Sequence, residues 1–166
     1  MRRLLLLFVA VFTALLVSRE LALSLPILGV GPDPLIIVVV VATAGEQPRT
    51  AAVGAFIAGF LRDLDPGSAS PAGLSALAYA LTAYAVALVG AVRGVWVYVG
   101  LVAGATFVSQ VLYGLGAILL AQQADVGPLP RVVFVTTFYN TLLAPLLVPL
   151  LRRVVTPESA VTGSGS

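Results

Sequence analysis

Few side chains in this sequence could do chemistry, and their spacing points first to contacts between helices. Ala51, Ala55, Gly59 and Asp63 recur at i, i+4, i+8 and i+12, which places them on one face of a helix, with Gly54 and Ala58 beside them. A face of glycine and alanine lets a second helix approach closely, which is how helices pack inside membranes. The stripe reads either as packing within this chain or as a docking face for a partner helix. Asp63 ends it, and an ionisable residue at the end of a packed apolar helix is often functional. Arg62 is its neighbour, but adjacent residues on a helix point apart, so a partner for Asp63 has to come from elsewhere or from water. A carboxylate at a helix C-terminus opposes the helix dipole by a few tenths of a kcal/mol, so a buried contact would give Asp63 a reason to be there.

A second small-residue face follows. Ala76, Ala80, Ala83, Ala87, Gly90 and Gly94 keep the helical period, whereas Leu77, Tyr79, Leu81 and Leu88 fall elsewhere. Pro71 and Gly73 mark a turn before it. The two faces, joined by a loop over 62–72, are expected to form the close-packed centre of a bundle. Gln110 and Asn140 each fall near the middle of a long apolar segment. Buried amides seek partners, in bonds worth about 0.6 kcal/mol on average between membrane helices. A Gln110–Asn140 bond is expected, as an interhelical tie or as part of a ligand site. Asp33, between Pro32 and Pro34, is expected to cap the helix that follows, with Pro34 at its first position.

Other chemistry is excluded by composition. The chain has no cysteine and no histidine, which removes thiolate metal sites, cysteine nucleophiles and the commonest general base. Asp63 and Asp65 are two apart and would not face each other on a helix. The sequence holds no phosphate loop, no nucleophile–base arrangement and no carboxylate pair inside an apolar segment, so no enzymatic activity, cofactor or metal is expected. The basic residues are scattered, with no run longer than Arg2-Arg3 or Arg152-Arg153, so nucleic acid is not an expected partner.

The elements that position these residues are apolar helices. The 166 residues are 60% hydrophobic and only 10% charged, and the mean hydropathy is +1.09. Soluble domains carry about 25% charged residues. Residues 4–18, continuing past Arg19-Glu20 to Leu28, read as a first membrane helix or as a signal peptide. Turns fall over Gly29–Pro34 and Gly45–Thr50, and the runs Leu35–Ala44 and Ala51–Leu61 are short. With flanking residues, 31–46 and 49–64 reach lengths that cross a thinned bilayer or form a re-entrant hairpin. Gly73–Val92, Val95–Ala121 and Val132–Leu151 are full spans, separated by Arg93-Gly94 and by a polar loop over Gln122–Pro130. The expected fold is all-α and polytopic, with about six transmembrane helices, two of them short. One transmembrane helical domain covers residues 1–155, and a polar disordered tail covers 156–166. An even number of spans with a cytoplasmic N-terminus puts Arg2, Arg3, Arg49, Arg93, Arg152 and Arg153 inside and Arg19, Arg62 and Arg131 outside. That is the direction of the positive-inside rule, and it makes both termini cytoplasmic.

One ordered set of residues resembles a known family. Pro32-Asp33 before a Val/Ile run, Gly54 and Gly59-Phe60-Leu61 before Asp63, a short proline-containing loop, Gly73-Leu74 with Ala76-Leu77 and Tyr84, then Asn140 and Pro145, resemble the rod shape-determining protein MreD over about residues 1–153. The resemblance implies a non-enzymatic, multi-pass scaffold of the cell-elongation complex that regulates peptidoglycan synthesis. Its implied partners are an MreC-like bitopic protein, an MreB-like filament, the RodA glycosyltransferase with its class B penicillin-binding protein, and membrane lipids. The MreD family is similar in fold to the substrate-binding S components of energy-coupling-factor transporters. The alternative function is therefore a vitamin-type transporter subunit, with a cavity lined by Asp33, Asp63, Tyr79, Tyr84 and Asn140. Gly54, Gly59, Asp63 and Gly73 are the positions that match the family, and the resemblance gives them no catalytic role.

Overall fold

The computed structural model describes residues 12–14, 16, 30–64, 72–120 and 127–155. Most of the first apolar segment, the 65–71 part of the first loop and the tail from 156 lie outside the described residues. The fold is all-helical, with no strand among the described residues. Five helices run in order: α1 (Pro34–Thr43), α2 (Pro48–Asp63), α3 (Leu74–Val89), α4 (Val95–Leu119) and α5 (Leu129–Val155). Phe12–Ala14 and Leu16 are helical as well.

The centre of the bundle is α1. Its sequence, Pro-Leu-Ile-Ile-Val-Val-Val-Val-Ala-Thr, is apolar on every side, and all of its residues except Ala42 are buried. β-Branched residues are poor helix formers in isolation. A helix that is apolar all round belongs inside other helices, where intrahelical bonds satisfy the backbone without water. α1 contacts all four of the others. The small-residue faces of α2 and α3 do pack together, but beside this core rather than at its middle. The expectation that they form the centre is corrected by the burial of α1, whose uniform Ile/Val run has no polar face to turn outward.

On α2, Ala51, Ala55, Ala58, Gly59 and Asp63 are buried. Gly59 is the tightest point: a Cβ there would stand 2.6 Å from the Ser75 carbonyl oxygen and 2.7 Å from the Ala76 Cα. On α3, Ala76 and Ala83 are fully buried and Ala80 is half-buried. Gly54 does not join this seam. It is exposed, with open space where a Cβ would stand. α2 begins at Pro48, earlier than the expected turn over Gly45–Thr50 allows, because proline suits the first helical position.

The helix ends define two ends of the bundle. At one, Gly45, in the left-handed region at φ +86, lets the α1–α2 turn sit against Ala91 of the α3–α4 connection, 3.2 Å from where its Cβ would be. The Arg152 guanidinium, late in α5, lies 5.1 Å from the Tyr98 ring centroid, early in α4. Arg49, Arg93, Arg152 and Arg153 therefore share this end, called here the arginine end. At the opposite end Gly116 of α4 faces Leu74 of α3, and Gly114 faces Leu129 of α5. α4 and α5 are long and apolar enough to cross a membrane.

Candidate functional site

The head of α1 is built as a polar knot. Asp33 holds the N-cap position, but its side chain makes no capping bond. This corrects the expected helix cap. Asp33 Oδ2 instead accepts from the Tyr79 hydroxyl at 2.5 Å and from Arg62 Nη1, which also donates to the Tyr79 oxygen. The Arg62 guanidinium stands 5.6 Å from the Tyr79 ring centroid. Asp33 is 4% exposed, whereas the Arg62 side chain is 37% exposed, so solvent screens the ion pair from one side.

The backbone of Asp33 is held separately. Its N–H donates to Asn140 Oδ1 at 3.0 Å, and its carbonyl accepts from Asn140 Nδ2 at 2.9 Å. One carboxamide, with both a donor and an acceptor, thus clamps both sides of one residue. Asn140 Nδ2 also donates to the Thr106 hydroxyl at 3.1 Å, and Asn140 and Thr106 are both fully buried. The knot ties the start of α1 to α2, α3, α4 and α5. Thr106 and Asn140 stand near the middles of helices of 25 and 27 residues, so α1 begins at mid-depth of the bundle. From there its ten residues run only about 15 Å to the arginine end. The expected crossing over 31–46 is thus helical over half that depth.

The expected Gln110–Asn140 bond does not form. Thr106, one turn earlier on α4, takes the Asn140 amide. Gln110, 9% exposed, and Thr136, 3% exposed, stand one turn from Thr106 and Asn140 toward the opposite end, and among the described residues their side chains make no hydrogen bond. Both polar pairs sit on the same two helices, and the register of α4 against α5 decides which pair meets α1.

Asp63 serves a different helix. Its Oδ2 accepts from the N–H groups of Gly73 at 2.8 Å, Ser75 at 3.0 Å and Ala76 at 3.3 Å. Gly73, at φ +95, is the N-cap of α3 and has no side chain to cap with, so Asp63 supplies the cap from α2. The carboxylate opposes the dipole of its own helix but favours that of α3, which answers the puzzle its position poses. Asp63→Ala is expected to lower stability by about 2 kcal/mol, and Asp63→Asn, which keeps an acceptor, by about half as much. Thermal unfolding followed by helical circular dichroism checks this, and equal losses in the two variants would rule out the cap as the cause.

Of the five candidate cavity residues, the structure gathers Asp33, Tyr79 and Asn140, gives Asp63 to the α3 cap, and leaves Tyr84 44% exposed. Arg62, the cation of the knot, and Thr106 were not among the expected site residues. The signal for Arg62 was present: an arginine near the end of an apolar helix needs an acid, and Asp33 begins the antiparallel neighbour. No group of three or more His, Cys, Asp or Glu that could hold a metal occurs among the described residues. In comparison with known proteins, no family model, curated protein or solved structure matches this chain.

Proposed function

We propose that this chain is a multi-pass inner-membrane protein, a non-enzymatic scaffold of the MreD type that holds an MreC-like bitopic partner in the cell-elongation complex. The observation that carries the membrane reading is an inverted distribution of polarity. Asp33, Asp63, Thr106, Ser109, Gln110, Thr136 and Asn140 are buried, while Phe134, Phe138, Leu142 and Leu146 stand 65–71% exposed along α5. Water would penalise such a surface, and hydrocarbon does not. The charged side chains of the interior support a scaffold. Asp33 and Arg62 hold α1, Asp63 holds α3, and the residues of the MreD resemblance at Gly59, Asp63 and Gly73 build the α2–α3 seam.

The arginine end is read as cytoplasmic, which places the α5 terminus inside. The natural chain has no cysteine, so single reporters are clean. Cysteines replacing Gln47 and Ala72, both exposed and at opposite ends of the α2–α3 pair, are expected to label from opposite sides of the membrane. Labelling from one side overturns the arrangement. For the scaffold itself, the chain is expected to co-purify with the MreC-like protein of its own cell after mild solubilisation. Its failure to do so, together with retention of a vitamin-sized ligand, would favour a transporter S component instead. One observation supports that second reading: Gln110 and Thr136, buried one turn from Thr106 and Asn140, make no side-chain hydrogen bond among the described residues.

A further inference from the structure

We propose that the arginine end carries a surface for the headgroups of anionic phospholipids, to which Arg93, just before α4, and Arg152, late in α5, contribute the charge. The inference rests on the membrane reading above. Four arginines share this end, and among the described residues none of Arg49, Arg93, Arg152 and Arg153 forms an ion pair, in contrast to Arg62. Glu46 is the one acid at this end among the described residues. Arg152 is half-buried and held without a carboxylate, its guanidinium over the Tyr98 ring. That contact holds the guanidinium over the ring, and guanidinium groups bind phosphate in a bidentate manner through their N–H groups. Arg93, exposed, precedes the same turn of α4 that carries Tyr98. Trp96, two residues from Tyr98 and so on the opposite, outer face of α4, is 78% exposed, and tryptophan settles where headgroups meet acyl chains, which marks the depth of this end. Paired arginines would be neutral toward lipid. Unpaired ones at the rim of an apolar belt are complementary to a negatively charged leaflet.

The test uses the full chain in nanodiscs of mixed phosphatidylglycerol and phosphatidylcholine, transferred to detergent, with retained lipid read by native mass spectrometry. The wild type is expected to keep phosphatidylglycerol in preference to phosphatidylcholine. Arg93→Gln combined with Arg152→Gln is expected to lower that preference on the order of 20-fold, roughly fivefold per arginine. Arg131→Gln, at the opposite end, is expected to leave it unchanged. Equal retention of both lipids by the wild type, or an undiminished preference in the double variant, overturns the proposal. So does a preference abolished by free inorganic phosphate, which would mark a soluble-anion site. A separate alkaline wash of membranes tests insertion: a chain released by it defeats the membrane reading itself, whereas an inserted chain without lipid preference defeats only this inference.

Discussion

Asn140→Leu is expected to destabilise the bundle by about 2–5 kcal/mol, the larger of its polar losses. Three hydrogen bonds involve this side chain: it accepts from the Asp33 N–H and donates to the Asp33 carbonyl and to the Thr106 hydroxyl. At the average worth of a polar bond between membrane helices, about 0.6 kcal/mol, the loss lies at the lower bound. That average reflects groups that find other partners. Here the site is fully buried and Asp33 is 4% exposed, so an N–H and a carbonyl are left with nothing to bond, at about 1–3 kcal/mol each. The upper part of the range is therefore favoured. Gln110→Leu is the control. Gln110 is nearly as buried but makes no side-chain bond, so its loss is expected to be neutral within about 1 kcal/mol, or stabilising. Unfolding both variants in detergent with a denaturing surfactant ranks them, and equal costs would remove the clamp as the explanation.

Gly59→Ala is expected to cost about 3 kcal/mol or more, a large effect for one methyl group. The new Cβ would meet the Ser75 oxygen, the Ala76 Cα and the Ala76 nitrogen at 2.6, 2.7 and 2.8 Å. All three atoms are backbone, so no side chain can turn aside and the α2–α3 seam has to open. Asp63 stands one turn further along α2, and opening the seam stretches its three bonds to the head of α3. Gly54→Ala on the same helix has open space and is expected to stabilise by up to about 1 kcal/mol through helix propensity. Melting temperatures of the two variants should move in opposite directions, and a shared direction would show that propensity rather than contact decides at Gly59.

The contrast between Gly54 and Gly59 indicates what the sequence can tell. Periodicity is a local property, and it identified the faces of α2 and α3, including Ala51, Ala55, Gly59, Ala76 and Ala83. It could not exclude Gly54, which lies close to the stripe in angle but on the outer side of it. Depth is not local. That α1 begins level with the middles of α4 and α5 depends on contacts across 107 positions, between Asp33 and Asn140. The same limit explains Gln110. Two polar residues a turn apart on α4 compete for one amide, and only the register of two antiparallel helices chooses Thr106. Asp63 is the intermediate case. Its conflict with the dipole of its own helix was visible, and the remedy, a second helix ending beside it, required the fold.

The order in which the knot at Asp33 closes has a consequence for synthesis. Arg62 follows Asp33 by 29 positions and Tyr79 by 46, so the carboxylate meets its partners early. Asn140 follows by 107. At roughly 5–20 residues per second, a nascent chain waits about 5–20 s between making Asp33 and making the residue that satisfies its backbone. During that interval α1 has its charge neutralised and its peptide groups open. α5, the last of the described helices to be made, is the one that completes the first turn of α1, so a chain halted before α5 carries a defect at its centre that quality control can recognise.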